Sequence, residues 1–489
     1  MSDESSNKVF GSDGDVSAGN SVAKRSGADI SDPWLLAEEL MAKRMYRKVQ
    51  HTSALGTTSL WWFDGLVWRL GAEEVVERDL VEALSNQTTI KPSSTLLDQV
   101  KRIIGSKNWV TEAQLKEPPL NLINLRNGVL DIETGQLHPH DPQLWFTSVI
   151  DVNYDPNAEC PNFTKFLTEI LPPEAHPTIQ ELFGYALYRS NHARRAFLFI
   201  GSGNNGKSLL LDILTRFIGE DNVSNKSLQD LEYNRFSVAR LLGKHLNISA
   251  DLPQTPLVKS EVFRALVGGD RLEAERKHRD SFAFQPYAKL VFSTNKLPLV
   301  REDEVDAFFK RWVIVEFPYK FEDDPGMRKQ ILDSCTTDDE KSGILNWALE
   351  GLRRLLQTGK FTADEGDSAK IRDRWMREVN PAYDFLTTYV ERDPTGAVMK
   401  KNLWTQYLAW REEQGLPADG RQNEFSALVQ TLFKAKSMRV RIRGERPYVW
   451  VGIRWKEQEK QDQEPSNLNY GDEDSTSYRR LGEPELETE

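Results

Sequence analysis

The sequence predicts an α/β fold for the central part of this chain, and three observations support that prediction. Apolar, strand-like segments alternate with helix-like segments over residues 191–330. One apolar run, 196–200, leads directly into a glycine-rich turn and then into a helical pattern that begins near Leu209. The turn carries glycine, lysine and serine at every fixed position of a phosphate-binding loop, in the order Gly201-Ser202-Gly203-Asn204-Asn205-Gly206-Lys207-Ser208.

A loop of this kind has a specific chemistry. Its backbone N–H groups point inward and hold nucleotide phosphates at the N-terminus of the following helix. We expect Lys207 to reach the outer phosphates and the Ser208 hydroxyl to ligate Mg²⁺. The sequence therefore predicts a site for a nucleoside triphosphate and Mg²⁺ that is formed by residues 201–208.

The residues before this core predict a mixed N-terminal domain. Asp64-Gly65 and Asn127-Gly128 are turn dipeptides, and each lies between apolar runs that predict the strands of a β-hairpin. The tryptophan-rich segment 61–69 is more typical of a core, with a platform for a ligand as the alternative. Helical patterns cover 73–85, 95–106, 163–171 and 178–188.

The residues after the core predict a second folded unit. Helical patterns cover 383–391, 400–413 and 423–434, and alternating strands cover 438–443 and 448–453. Three helices and a β-hairpin favour a winged helix, whose third helix would read duplex DNA. The basic hairpin would contact phosphates through Arg439, Arg441 and Arg443. A small α+β domain for protein contacts is the alternative.

A chain of 489 residues is long enough for about two to four domains. The patterns divide it into a disordered tail (1–32), an N-terminal α/β and helical domain (33–190), a nucleotide-binding core (191–330), a helical lid and linker (331–379), a winged helix (380–455) and an acidic disordered tail (456–489).

Composition excludes two classes of protein. No apolar run approaches the length of a membrane span, so we expect no integral membrane protein. Cys160 and Cys335 are the two cysteines, too few for a cysteine zinc cluster. Without an apolar signal segment, these features predict a reduced, cytoplasmic setting inside a cell. The formal net charge is −11, but the acidic residues are concentrated in tails. Local basic patches therefore remain available to contact DNA.

Three residues downstream of the loop are candidates for the hydrolysis of ATP. Asp251 ends an apolar strand at the place where such enzymes keep a second acid that directs Mg²⁺. Asn295 ends the next apolar strand, 288–295, and its amide is suited to orient the attacking water. Arg311 precedes the strand 312–317 and is suited to project into a neighbouring subunit's site, which requires a ring or a pair of subunits.

Between Asp251 and Asn295 the chain makes an excursion with a basic tip, 275–280. In a ring, such tips would face the central channel. Lys277 and His278 would there hold successive phosphates of a single strand. A solvated surface is the alternative interpretation of such a charge run.

Together these residues resemble the superfamily 3 helicases of viruses and plasmids. The elements that carry the resemblance lie within positions 201 to 311: Gly201–Ser208, Asp251, Arg276-Lys277-His278, Ser293-Thr294-Asn295 and Arg311. Further segments resemble the poxvirus and satellite-phage primase–helicase branch: Asn127–Asp131, Tyr154-Asp155-Pro156, Cys160-Pro161, Gly184-Tyr185, Leu266–Asp270 and Asn295–Pro298. The resemblance spans about 120 to 320, and more loosely 380 to 455.

The resemblance implies an AAA+-like core and a hexameric ATPase that translocates on single-stranded DNA, typically 3′ to 5′, and unwinds forked duplex. The residue roles that it implies are phosphate and Mg²⁺ binding for Lys207 and Ser208, metal direction for Asp251, sensing for Asn295, a finger acting in trans for Arg311, and a grip on DNA for Lys277 and His278.

The chain departs from the resemblance in two places. Leu252 follows Asp251 where many relatives carry a second acid, so the group that activates the attacking water stays open. The residues before the matching region show no paired-acid catalytic site. We therefore expect no primer synthesis by this chain alone, and a separate primase or replication protein as a partner.

Two other functions remain open. One is an ATP-switched initiator that assembles on an origin through the winged helix. The other is an ATPase of DNA packaging or segregation. The hairpin of Lys277 and His278 favours translocation, because a static switch needs no grip in a channel.

Overall fold

The fold is described from a computed structural model, which describes residues 31–51, 57–85, 93–250, 252, 259–275, 281–295, 297, 305–363, 368–417, 421–440 and 446–456. The chain divides after Val379 into two compact units. None of the helices described is both long enough and apolar enough to cross a membrane. The predicted tails, apart from residues 31, 32 and 456, lie outside the described residues, as do Asp251, Lys277, His278, Arg441 and Arg443.

The first unit opens with three helices packed on a mixed sheet. Its elements are α1 (Pro33–Lys43), β1 (Tyr46–Gln50), β2 (Thr58–Phe63), β3 (Trp68–Leu70), α2 (Ala72–Ser85), α3 (Ser94–Lys107) and β4 (Trp109–Thr111). The strand order is β3-β2-β1-β4, with β4 parallel to β1. Leu40, Tyr46 and Val76 belong to the buried core between helices and sheet. The predicted hairpin at Asp64-Gly65 and the two predicted helices are confirmed.

The next segment contains the second predicted hairpin. It comprises β5 (Leu122–Leu125), β6 (Gly128–Asp131), β7 (Leu137–His138), α4 (Pro161–Ile170) and α5 (His176–Leu187). β5 and β6 pair antiparallel around Asn127-Gly128, as predicted, and both helices are confirmed. Trp68 is 1% exposed and stacks on Trp145 with ring centroids 4.8 Å apart. This burial supports the interpretation of the tryptophan-rich segment as core.

A parallel sheet forms the centre of the first unit. Its region contains β8 (Ala196–Ile200), α6 (Lys207–Ile218), β9 (Val223–Ser224), α7 (Leu228–Tyr233), α8 (Arg235–Val238), β10 (Leu246–Ser249), α9 (Glu261–Gly268), β11 (Leu272–Ala274), β12 (Phe282–Phe284), β13 (Lys289–Thr294), α10 (Val305–Phe309) and β14 (Trp312–Glu316). The five described strands run in the order β14-β8-β13-β10-β9, all parallel. The central strand β8 is wholly apolar and buried, its neighbour β13 is buried throughout, and the predicted α/β fold is confirmed.

The excursion between β10 and β13 has a regular stem. β11 and β12 pair antiparallel, with Leu272 opposite Phe284 and Ala274 opposite Phe282. The residues predicted at its tip, Lys277 and His278, lie outside the described residues. A hairpin is therefore present where the sequence predicts a basic excursion, and its contact with DNA remains a prediction.

Three helices complete the first unit: α11 (Pro325–Cys335), α12 (Asp338–Thr358) and α13 (Ser368–Val379). The long α12 packs closely on α5. The two helices approach each other so closely at Gly351 that an added Cβ would lie 2.4 Å from the carbonyl oxygen of Gln180. Trp375 of α13 is fully buried in the core with Phe308 and Trp312. The charged segment from 368 onward is therefore part of the folded unit.

The second unit differs from its prediction in one element. It contains α14 (Pro381–Tyr389), β15 (Val390–Met399), α15 (Lys400–Glu413), α16 (Gln422–Phe433), β16 (Lys436–Arg439) and β17 (Tyr448–Trp455). The strands form an antiparallel sheet in the order β15-β17-β16. The helix predicted over 383–391 ends at Tyr389, and the strand that follows was not predicted. The register of β15 is irregular between Arg392 and Ala397, where the turn-forming residues Asp393-Pro394-Thr395-Gly396 lie. These residues predict a turn, so the sequence pattern did not reveal the strand.

Candidate nucleotide-binding site

The glycine-rich loop joins the end of β8 to the start of α6, at the carboxyl edge of the parallel sheet. Gly206 has a φ of 86°, and a Cβ there would lie 2.6 Å from Cγ2 of Ile170. A Cβ at Gly201 would lie 2.2 Å from Nδ2 of Asn205 and 2.6 Å from the carbonyl oxygen of Phe317. The loop conformation therefore requires glycine at both positions.

Lys207 is the first residue of α6, and its side chain is held at the mouth of the loop. Its Nζ donates to the carbonyl oxygen of Gly201 at 2.6 Å and to Oδ1 of Asn205 at 3.1 Å. It also donates to Oδ1 of Asn295 at 3.2 Å. Burial lowers the pKa of this ammonium group. These acceptors are neutral oxygens, so the positive charge remains available to a bound anion.

Two further predicted residues lie beside Lys207. Asn295 directly follows β13, and the parallel register places Thr294 opposite Ile200, the residue before the loop. Asn295 is exposed, and Ser208 is exposed in the first turn of α6. The structure therefore brings Lys207, Ser208 and Asn295 to one edge of the sheet. The strand β10 that precedes Asp251 ends at this same edge, because it runs parallel to β13.

Arg311 lies at the opposite edge of the sheet. It directly precedes β14, where Trp312 pairs with Ala196 and Glu316 pairs with Ile200. The five residues of β8 therefore separate Arg311 from the loop by about 15 Å along the strand direction. Arg311 and Lys207 are not brought together within one chain.

Other arginines, absent from the predicted site, surround Arg311. Burial lowers the pKa of its guanidinium, and the nearby charges of Arg194 and Arg195 lower it further. Its Nε is buried without a hydrogen-bond partner among the described residues. Several guanidinium groups and the carboxylate of Asp270 thus lie close together at this edge. In the sequence, the Arg194-Arg195 pair directly before β8 was the signal that could have indicated these arginines.

An open groove lies away from the loop. It has a volume of about 2280 Å³ and is lined by the N-terminal sheet and by the stem of the β11–β12 hairpin, including Trp61, Arg189 and Phe282. None of residues 201–208 lines it. The groove and the loop are therefore separate features of the first unit.

Comparisons with known proteins fall on these same regions. The "D5 N terminal like" family matches residues 38–172, and a family of unknown function (DUF5906) matches residues 199–311. The chain is 27% identical over 247 residues to "Putative helicase 121R" of Invertebrate iridescent virus 3. It is 26% identical over 211 residues to "Putative helicase L207/L206" of Acanthamoeba polyphaga mimivirus. These matches support the predicted resemblance to the phage and viral primase–helicase family.

The two relatives are much longer than the matched part. The two matches cover 46% and 41% of this chain but 26% and 22% of the relatives, so the chain matches about a quarter of the length of each. Two solved apo structures of the NrS-1 C-terminal region are similar to this chain, with TM-scores of 0.45 and 0.44. In each comparison the sequence identity is 13%, and the match covers 86% of this chain and 99% of the NrS-1 chain. The DUF5906 match runs from within β8 to Arg311, so it contains every described candidate residue of the loop edge.

Proposed function

We propose that this chain is an ATP-dependent DNA helicase that works as a ring of subunits, with a hexamer as the expected assembly, on single-stranded and forked DNA. The observation that carries the proposal is the contact of 3.2 Å between Nζ of Lys207 and Oδ1 of Asn295. It joins the loop after β8 to the end of β13 at the carboxyl edge of an open parallel sheet, which is where such sheets bind ligands.

The groups of the loop edge suit the hydrolysis of ATP. Residues 201–208 would hold the phosphates, with Lys207 neutralising charge on the outer ones. The exposed hydroxyl of Ser208, one residue further along α6, suits a ligand of Mg²⁺, and Asp251 is the proposed acid of the same metal site. Mg²⁺, when bound, supplies charge stabilisation to the phosphates. Asn295 would orient the attacking water through its amide.

Arg311 supports a mechanism shared between subunits. Its position at the far edge of the sheet excludes contact with the phosphates that Lys207 of the same chain would hold. A head-to-tail contact between copies would present this edge to the loop of the next subunit, and repeated contacts of that kind close a ring. Arg311 would then neutralise charge that develops during phosphoryl transfer.

Contacts with DNA are assigned to two places. Lys277 and His278, beyond the stem of β11 and β12, are proposed to hold a single strand in the ring's channel. The second unit has the order α14-β15-α15-α16-β16-β17, and we propose a winged helix with α16 as the reader and Arg439, Arg441 and Arg443 as phosphate contacts. Arg439 is exposed and lies over the ring of Tyr448, 4.7 Å from its centroid.

One observation favours a second candidate, the ATP-switched origin initiator. The exposed side of α16 presents Asn423 and Gln430, whose amides are suited to bidentate contacts with adenine. A helicase that only translocates has little use for base readout. Site-specific recognition by this helix would therefore support assembly at an origin.

Strand displacement on a forked duplex tests the proposal. The wild-type chain should hydrolyse ATP faster with DNA and open the fork, and Lys207→Ala should lose both activities. Lys329→Ala removes an exposed lysine of α11 and should retain both. DNA-stimulated hydrolysis without any opening of the fork would reject the helicase and favour the initiator.

A further inference from the structure

The segment that follows β14 lies directly against the glycine-rich loop. The N–H of Phe317 donates to the carbonyl oxygen of Ile200 at 2.8 Å, and the N–H of Phe321 donates to that of Asn204 at 2.7 Å. Nδ2 of Asn205 donates to the carbonyl oxygen of Phe317 at 3.4 Å. The main chain of 317–321 is thus tied to the loop at two points and to the last residue of β8 at a third, so its side chains lie beside the loop.

Two aromatic side chains of this segment are left exposed. Tyr319 is 44% exposed and Phe321 is 41% exposed, whereas Phe317 is 2% exposed. Two large apolar side chains on five residues beside a binding loop indicate a contact surface. The face of an aromatic ring is a surface on which any nucleobase can stack.

The strand order indicates which end of a nucleotide would face this segment. β13 and β14 lie on opposite sides of β8. Asn295, at the end of β13, contacts Lys207, which would hold the outer phosphates, so those phosphates belong on the β13 side. A nucleotide lying across the loop then directs its sugar and base toward the β14 side, where Tyr319 and Phe321 lie.

We propose that Tyr319 and Phe321 form a platform on which the base of the bound nucleotide stacks. This inference rests on the proposed function, because it assigns the base end of a nucleotide whose phosphates residues 201–208 hold. A two-ring purine covers more of an aromatic surface than a one-ring pyrimidine. The platform therefore favours purine over pyrimidine nucleoside triphosphates.

Calorimetric titration with two probes separates the base from the phosphates. One probe is ATP and the other is inorganic tripolyphosphate, which has no base, and both are used with Mg²⁺. Substituting both Tyr319→Ala and Phe321→Ala should weaken ATP binding by a factor between about 5 and about 100. Binding of tripolyphosphate should stay at the wild-type value, because the phosphate loop is unchanged.

Two further variants keep the test sharp. Tyr233→Ala removes an aromatic side chain that is 49% exposed on α7, and it should change neither affinity. Phe321→Leu retains an apolar side chain without a stacking face, and it should weaken ATP binding to an intermediate degree. Melting temperatures measured for all variants identify any that fail to fold.

The outcomes distinguish this inference from the proposed function. A wild-type chain that binds neither probe would reject the phosphate site and the platform together. The platform alone is rejected if the wild-type chain binds both probes and the alanine double variant binds ATP as tightly as the wild type does. Equal weakening of ATP and tripolyphosphate would also reject it, because the two aromatic side chains would then be supporting the loop.

Discussion

The ammonium group of Lys207 and the side-chain oxygen of Asn295 lie 3.2 Å apart, although the two residues are 88 positions apart in sequence. The contact depends on the parallel pairing of β8 with β13, which places Thr294 opposite Ile200. It positions a cation from the loop and a neutral amide from the neighbouring strand at one point of the sheet edge. The two side chains therefore allow binding and turnover to be tested separately.

Substitutions at Asn295 should separate those two steps. Asn295→Ala removes the amide proposed to orient water, and we expect kcat for ATP to fall by about 10²–10³ while the Kd for ATP changes little. Asn295→Asp would instead place a carboxylate beside the Lys207 ammonium, and the resulting ion pair should weaken ATP binding. Steady-state hydrolysis and equilibrium binding measure the two effects. An alanine variant with wild-type kcat would contradict the proposed role.

Arg311 should act on the site of a neighbouring subunit. Arg311→Ala is expected to lower hydrolysis by about 10³–10⁵ while ATP binding persists, because the guanidinium would act on charge formed during transfer. Mixing this variant with Lys207→Ala chains, which retain Arg311, should restore part of the turnover. Absence of restoration in assemblies shown to contain both chains would argue against action in trans.

The sequence was sufficient to predict the local part of this structure. The phosphate-loop pattern, the flanking strand and helix, and both turn dipeptides are set by neighbouring residues, so they were visible without a fold. Asn295 was predicted to act at the nucleotide site because it ends an apolar strand, and the parallel sheet brings it beside Lys207. Such inferences need only the direction and adjacency of strands.

The sequence did not reveal features that depend on distant packing. β15 escaped prediction because its turn-forming centre is accommodated by pairing with β17, and Gly396 there leaves no room for a Cβ, which would lie 2.4 Å from the carbonyl oxygen of Ile453. The arginines around Arg311 meet only once β8 and β14 pair. Contacts of 317–321 with the loop likewise need the finished sheet.

Close packing of α12 on α5 should make Gly351 sensitive to substitution. In Gly351→Ala the added Cβ would lie 2.4 Å from the backbone of Gln180, which cannot move away as a flexible side chain would. We expect the free energy of unfolding to fall by about 1–3 kcal/mol, as measured by chemical denaturation of the full chain. Gln357→Ala, on the exposed side of α12, is the matched control. Equal stability of the two variants would contradict the packing.

His245 should make the first unit sensitive to acid. Burial lowers the pKa of its ring to about 3 from an ordinary value of 6.5, and the nearby charges of Lys289 and Arg189 also lower it. Nδ1 lies 3.0 Å from the carbonyl oxygen of Ala186, and Nε2 lies 2.9 Å from Oγ of Ser148. Between these two pKa values the unfolded chain binds more protons than the folded one. The free energy of unfolding should therefore fall as pH decreases from about 6.5 toward 3.

His245→Gln tests this pH dependence, because glutamine can donate and accept hydrogen bonds but does not titrate. The variant should lose part of the acid-induced decrease in the free energy of unfolding, measured by denaturation at several pH values. Its stability at neutral pH serves as the reference for each curve. Identical pH dependence in the variant and the wild type would show that other groups are responsible.

Two residues of the second unit should affect DNA binding in different ways. Gln430 is exposed on α16, so Gln430→Ala should weaken binding to preferred duplexes by about 1–3 kcal/mol and relax their discrimination. Arg439→Ala removes a proposed phosphate contact, so it should weaken binding to all duplexes alike and reduce the salt slope by about 1. Gln406→Ala, an exposed glutamine of α15, is the control for discrimination.

Affinities for a panel of duplexes, measured at several salt concentrations by fluorescence anisotropy, separate the two effects. Basal ATP hydrolysis should stay unchanged in the Gln430 and Arg439 variants, because both residues belong to the second unit while the loop edge belongs to the first. Wild-type affinities and salt slopes in both variants would indicate that this unit serves protein contacts. A uniform loss in Gln430→Ala, without any change in discrimination, would assign α16 to the DNA backbone and remove the support for origin recognition.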